Sequence, residues 1–448
     1  MKQHPIGNGF CVPRVPREVA ALIAALQMKG AVTDELVGLK EEEWDSLLRF
    51  CDSAHLTLPL SQVCSSEFPS WVLERLRRNA ADNGRRFERL KSTYLEVAAA
   101  FAQAGIEHVV LKGFTQAPEY IANPRLRQQS DIDLYCPKEM IPRARAALES
   151  IGYSPEQTLD YSRADHLPTM VRYGDWRWRG NAFDPDMPLS IELHFCLWNE
   201  AIAEFSVPEM DGFWGRRVKR RLEDISFPAL SPIDQLGYFT LHIVRDLLRR
   251  EWVIHRVHEL ARFLHMRAVD GSFWREWKEA SSSSFRALQA IAFFHANAWF
   301  SCDLHPAIRN EIAMLPPIHR EWLKRFAGSA LEDMFHKNRD GVWLHASLVR
   351  PARKRLELIW KTIVPTQVPS IETPARVYRK RGLKESRVSN KYLRYGPYLL
   401  GRIIAHVRST SVFIWHGMIL YFCGRSSELR LLTYENERTQ YVVSRLGK

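Results

Sequence analysis

Asp131 and Asp133 stand one residue apart in an otherwise apolar run, DIDLYC. Alternate side chains of a strand share a face. The two carboxylates therefore project side by side, with Ile132 and Leu134 turned the opposite way into a core. Two ionised carboxylates this close repel, and in a desolvated setting one is driven to take up a proton. A divalent cation between them removes the conflict, and hard oxygen donors suit Mg²⁺. The competing reading is an exposed strand edge with both acids hydrated.

The surrounding residues carry related chemistry. A β-rich run, EHVVLK, closes on Gly113, where backbone can approach an anion closely. Arg125 and Arg127 sit in the loop before the acids, and guanidinium groups match phosphate oxygens in a bidentate fork. With Lys112 they are candidates for neutralising phosphate charge. A third carboxylate lies in SIELHF, where Glu192 and His194 share one face and Ile191 and Leu193 the other. If this strand lies beside the Asp131 strand, three acids and a histidine converge, as two-metal phosphoryl or nucleotidyl transfer requires. If it does not, Glu192 and His194 are polar positions of a surface strand. His194 is open as an acceptor-side group or a satisfied core histidine. His242 and Trp252 are read as core.

These residues need a sheet to hold them, and the periodicity supplies one. Residues 1–95 read as N-terminal helices, with a long amphipathic stretch ending at Gly105. Residues 96–230 alternate strand and helix signals: strands at 107–112, 131–136, 167–173 and 187–195, a brief helix at 114–121 and a longer one at 138–152. Residues 231–364 turn helical again, opening on Ser231-Pro232, an N-cap followed by Pro in the first turn. Residues 365–448 form a basic segment with a proline-rich linker at 365–377 and an uncharged run at 409–424. That run is shorter than the roughly 20 residues a membrane span needs, and reads as a buried or interfacial helix. The fold class expected is α+β, a small mixed sheet flanked by N-terminal helices and a C-terminal helical bundle.

Bulk composition sets bounds. The chain has 448 residues, 46% hydrophobic and 25% charged, enough for a real core in two or three domains. Its seven cysteines are scattered without a C-x-x-C pair, which argues against a disulfide framework or zinc knuckle and favours a reducing, cytoplasmic compartment. The N-terminus lacks a secretory pattern. Net charge is +12, and residues 351–448 hold 19 Lys and Arg against 6 Asp and Glu, a net of +13. The basic character thus belongs to the tail, whose partner would be an anionic membrane surface or nucleic acid, unless it is merely solvated.

The run Leu111-Lys112-Gly113, Tyr120, Asn123-Pro124, Arg127 and Ser130-Asp131-Ile132-Asp133-Leu134, followed by Glu192-Leu193-His194, resembles an uncharacterised bacterial nucleotidyltransferase family. That family belongs to the DNA polymerase β-like nucleotidyltransferase superfamily. The resemblance covers roughly residues 90–300. It implies a minimal palm in which Asp131 and Asp133 hold Mg²⁺ on a triphosphate. Glu192 would bind a second Mg²⁺ and help the acceptor hydroxyl lose its proton. Lys112, Gly113, Arg125, Arg127 and Ser130 would attend the nucleotide. The superfamily usually has Gly-Ser or Gly-Gly where this chain has Gly113-Phe114, and Thr115 is the candidate substitute. The implied reaction moves a nucleoside monophosphate from an NTP such as ATP to a hydroxyl acceptor: a small molecule, glycan, peptide or RNA. The alternative is a non-catalytic scaffold on the same fold, attached to membrane or nucleic acid through its basic tail.

Overall fold

The computed structural model describes residues 14–63, 65–156, 165–336, 338–364, 403–404 and 406–421. The linker expected at 365–377, much of the basic tail and residues 1–13 lie outside the described residues. Two compact units emerge, one spanning residues 15–314 and the other beginning at Leu315.

The first unit is built on one mixed sheet. Its strands are β1 (Val109–Leu111), β2 (Asp131–Tyr135), β3 (Ser154–Pro155), β4 (Met170–Val171), β5 (Ser190–His194), β6 (Val218–Leu222) and β7 (Ile225–Ala229), in the order β3-β4-β5-β2-β1-β7-β6. β1 is buried on both faces, as its unbroken Val-Val-Leu run requires. β2 pairs antiparallel with β1 and parallel with β5. Alternation then divides the side chains. Val110, Ile132, Leu134, Ile191, Leu193 and Phe227 pack against Phe87, Leu90, Tyr94 and Val97 of the long helix Ser70–Gln103, with the helix Ile141–Ser150 on the same face. Val109 and Leu111 face the other way, onto Tyr238 and Leu241 of the helix Pro232–Arg249 and onto Phe213 and Phe285. The acids of β2 and β5 share this second face.

Local signals fix the ends of these elements. The long helix ends at Ala104, and Gly105 takes a left-handed φ of 61°. Ser231 Oγ accepts the Asp234 N–H at 3.3 Å ahead of Pro232, so the cap-then-proline reading holds. The hairpin β6–β7 is an addition to the four strands expected. Its turn carries no glycine or asparagine, and Glu223 itself takes the left-handed position, φ 52°. The strand expected at 167–173 shrinks to Met170–Val171, and the brief helix after β1 is a 3₁₀ turn, Gly113–Gln116.

The second unit is helical. Residues 406–421 are helical and bury Phe413 and Leu420. Trp343 stacks on Phe413 at 4.4 Å and donates its indole N–H to the Phe413 carbonyl at 3.0 Å. Gly417 is required at this crossing, because a Cβ there would lie 2.1 Å from the Trp343 ring. Most of the apolar run stays outside: Ile414, Trp415 and Met418 are exposed. Among the described residues no helix is long and apolar enough to cross a membrane.

Phe227 bridges the sheet and the long helix, meeting Phe114 edge-on at 4.9 Å and Tyr94 at 6.3 Å. Phe227→Ala is expected to cost about 3–5 kcal/mol, read as a lower denaturant midpoint at unchanged slope. A loss below about 1 kcal/mol would mean this cluster is not the core of the unit.

Candidate active site

β2 and β5 run parallel in a register that sets Asp131 against Ser190, Asp133 against Glu192 and Tyr135 against His194. The pairing brings the third carboxylate to the first two. Ligand atoms of Asp133, Glu192 and His194 all lie within 4.8 Å of one another. His194 Nε2 donates to Asp133 Oδ1 at 2.9 Å and lies 3.7 Å from Glu192 Oε2. Lys112 Nζ reaches the same Asp133 oxygen at 2.8 Å. It comes from a turn in which Lys112 and Gly113 both have positive φ, 48° and 58°. Gly113 is required there on two counts: its φ, and the Gln129 amide, which would lie 2.2 Å from an added Cβ. Gln129 uses that amide to donate to the Asp131 carbonyl at 2.6 Å, so the turn and the first acid are locked together.

The neighbouring acids titrate in opposite directions. Burial, then the charges of Asp133 and Glu192, push Asp131 up to about 7. Burial also opposes ionisation of Asp133, but Lys112 and His194 outweigh it and hold that carboxyl far below its ordinary value. Burial disfavours charge on His194, yet hydrogen bonds to Asp133 and Glu192 raise it to about 9. For Glu192, burial is overcome by His194, and its carboxyl is lowered. His194 donates to Asp133 in this arrangement and, with Asp133 and Glu192, belongs to a group of side chains able to hold a cation. The carboxylate oxygens of Asp131, Asp133 and Glu192 are hard donors of the kind that suits Mg²⁺.

The remaining sequence candidates separate. Arg127 and the exposed Ser130 line a cleft of about 250 Å³ together with Lys112, Gln129, Asp131 and Asp133. Arg127 is not bare: its Nε donates to Glu259 Oε1 at 3.1 Å. Arg125 is not among the cleft's lining residues. It bonds Glu223 at 3.0 Å and Glu88, with its guanidinium 4.9 Å from the Phe87 ring. Thr115 is buried and its hydroxyl donates to the Lys112 carbonyl at 2.6 Å, so it braces the turn from within. His242 is buried, as read, and takes a 2.6 Å contact from Arg245. Trp252 corrects the core reading: it is 43% exposed, tilts against Phe50 and lines the cleft.

Several site residues escaped the sequence reading. Asp165 accepts from Arg245 at 2.8 Å and lies 3.9 Å from His194 Nδ1. His166 Nε2 is 3.9 Å from Glu192. His255 and Arg256 also line the cleft. The adjacent pair Asp165-His166 was a visible signal, but no periodic element marked it.

A mixed sheet that presents an Asp-x-Asp pair and a third carboxylate beside a left-handed Lys-Gly turn is the palm of a nucleotidyltransferase. Residues 40–301 match the family described as uncharacterised nucleotidyltransferase, and the chain belongs to that family. No curated protein and no solved structure matches it.

One chemical change at the two acids should move stability in opposite directions. Asp131→Asn removes a charge that the folded state disfavours, so the melting temperature at pH 8 should rise. Asp133→Asn leaves Lys112 and His194 without their counter-ion and should cost about 3–5 kcal/mol. Thermal melts that fall equally for both variants would contradict this electrostatic description.

Proposed function

We propose that this protein is a Mg²⁺-dependent nucleotidyltransferase. It transfers a nucleoside monophosphate from an NTP to a hydroxyl acceptor and releases pyrophosphate. The observation that carries the reading is the register of Asp133 on Glu192, with Asp131 on the same face and the Lys112–Gly113 turn alongside. Asp131, Asp133 and Glu192 would hold two Mg²⁺, whose bound role is to neutralise triphosphate charge and polarise the α-phosphoryl group. The chain's own groups do the rest. Lys112, Arg127 and Ser130 bind phosphate oxygens at the cleft, and His194 holds Asp133 in place. Glu192 takes the proton of the acceptor hydroxyl as that oxygen bonds to the α-phosphorus. The bond from the α-phosphorus to the bridging oxygen breaks, and its electron pair leaves with pyrophosphate.

The test is Mg²⁺-dependent pyrophosphate release from the four NTPs, with cell-extract fractions supplying acceptors. Asp131→Asn and Glu192→Gln should each lose at least about a hundredfold in turnover, on the order seen when a transition-state stabilising group is removed, with circular dichroism unchanged. Near wild-type turnover in either variant would defeat the assignment. If no NTP with Mg²⁺ gives binding heat in a folded sample, the non-catalytic scaffold is the better account.

Membrane attachment is the second element of the proposal, and one surface favours it over nucleic acid. The helix Ala352–Ile363 buries no residue; it exposes Leu356 and Trp360 among Arg353, Lys354, Arg355 and Lys361. The helix at 406–421 exposes Val407, Ile414, Trp415 and Met418. Exposed aliphatics and tryptophans mixed with Arg and Lys suit the interface of an anionic bilayer, where apolar side chains insert and cations meet headgroups. Nucleic acid would pair with the cations and stack on the tryptophans, but would leave the exposed Leu356, Val407 and Ile414 without a partner. Vesicles containing phosphatidylserine should sediment the full chain, and phosphatidylcholine vesicles should not. Trp360→Ala with Trp415→Ala should weaken binding roughly a hundredfold, from about 1.5 kcal/mol of lost burial per side chain. A salt-sensitive shift with RNA and no sedimentation with vesicles would reverse the assignment.

A further inference from the structure

The cleft that holds Asp131 and Asp133 is polar almost throughout. Among the described residues that line it, Trp252 is the one large apolar side chain, and it is 43% exposed. A single exposed apolar residue on a convex surface needs no explanation. This one borders a concave space of about 250 Å³ that it shares with Lys112, Arg127 and Ser130. Concave sites take their ligands on apolar and aromatic walls, with a few polar groups to orient them.

The chain holds the ring there by local means. Trp252 lies in the short connection between the helices Pro232–Arg249 and Ile254–Met266. Arg250 ends the first helix in a left-handed conformation, φ 61°, and the Glu251 N–H donates to the Asp246 carbonyl at 2.9 Å. On the other side, Val253 is fully buried. Four residues on from the ring, Arg256 is tied to the buried Asp246. The Glu251 carboxylate is matched by Arg249 at 3.0 Å. The indole itself leans on Phe50, with centroids 5.8 Å and planes 37° apart. The ring is thus braced and still accessible, so little ordering remains to be done when a ligand arrives.

A nucleoside triphosphate has one part with broad apolar faces, its base, tethered to the phosphates through a single ribose. With phosphate oxygens on Lys112, Arg127 and Ser130, the base is confined near those residues, and Trp252 is the apolar partner that the same cleft offers. A free acceptor carries no such tether. We propose that Trp252 is the platform on which the nucleobase stacks. This rests on the nucleotidyl-transfer reading and adds to it the residue that holds the base. Stacking on an aromatic ring tolerates any base, because every base has a π-face. The contact therefore contributes to the binding of all four NTPs, and most to the purines, whose faces are larger.

The test is isothermal titration of the full chain in Mg²⁺ with ATP and, separately, with ribose 5′-triphosphate, which lacks the base. The wild-type chain should bind ATP about five- to a hundredfold tighter than ribose 5′-triphosphate, the range of one base–aromatic stack. In Trp252→Ala that ratio should shrink to about twofold or less, with ribose 5′-triphosphate bound as in wild type, as expected when a stack is removed and the phosphate end is untouched. Trp252→Leu keeps an apolar contact for Phe50 without a π-face and should lose the ratio in the same way, whereas Trp252→Phe should keep most of it. Each variant is judged by the ratio of two ligands, so a general loss of folding or of phosphate binding, which lowers both affinities together, cannot imitate the result. A wild-type ratio near one, or a ratio that survives in both Trp252→Ala and Trp252→Leu, overturns the platform while leaving nucleotidyl transfer standing. Failure of both ligands to bind the wild-type chain removes the parent reading and the platform with it.

Discussion

Charge crowding on one face of two adjoining strands governs this structure. Asp131, Asp133 and Glu192 come from strands paired in parallel register, so the backbone itself sets their spacing and no rotamer can separate them widely. The site survives because cations are built in. Lys112 and His194 meet on a single Asp133 oxygen, and Arg245 serves Asp165 behind them. Asp131 is left without such a partner, and its carboxyl rises to about 7 through burial and its like-charged neighbours. The protein thus keeps one acid firmly ionised and another poised, a difference that arises from where the cations reach. Structural ion pairs perturb titration too; here the perturbed groups also border an open cleft.

The scaffold around the acids serves that constraint. The left-handed Lys112–Gly113 turn delivers the lysine to Asp133, and Thr115 closes the turn from below. Asn83, on the long helix, donates to the carbonyls of both Arg125 and Arg127, at 2.7 and 3.0 Å. Those two bonds fix the loop that precedes β2. They also explain the diverging fates of two arginines one residue apart: one is turned to Glu88 and Glu223, the other to the cleft.

Much of this was legible in the sequence, for identifiable reasons. Period-two alternation put Ile132, Leu134, Ile191 and Leu193 on the core face, and so put the acids and His194 on the other. The Ser231-Pro232 start and the Gly105 stop were readable because capping chemistry is local. What was not legible depends on tertiary choices. Nothing local says that β5 lies beside β2, or that Arg125 finds acids on the long helix and in the β6–β7 turn. That hairpin went unread because its turn uses Glu223-Asp224 in place of glycine. Trp252 went unread as a cleft residue because a tryptophan between helices is ordinarily core.

A division of labour follows from which elements carry which groups. The acids and His194 sit on strands buried between two helical layers, where a side chain has few alternative positions. The groups that border the cleft from outside the sheet, Ser53, His55, Trp252, His255 and Arg256, sit on or near helix ends. Helix ends can change residue by residue without disturbing strand register, whereas a one-residue slip in β2 would turn both aspartates into the core. Chemistry is therefore tied to the sheet, and ligand choice is free to vary around it. The Arg127–Glu259 pair helps join the two, holding the loop before β2 to the helix Ile254–Met266, to which Tyr120 is also stacked through Phe263 at 4.4 Å.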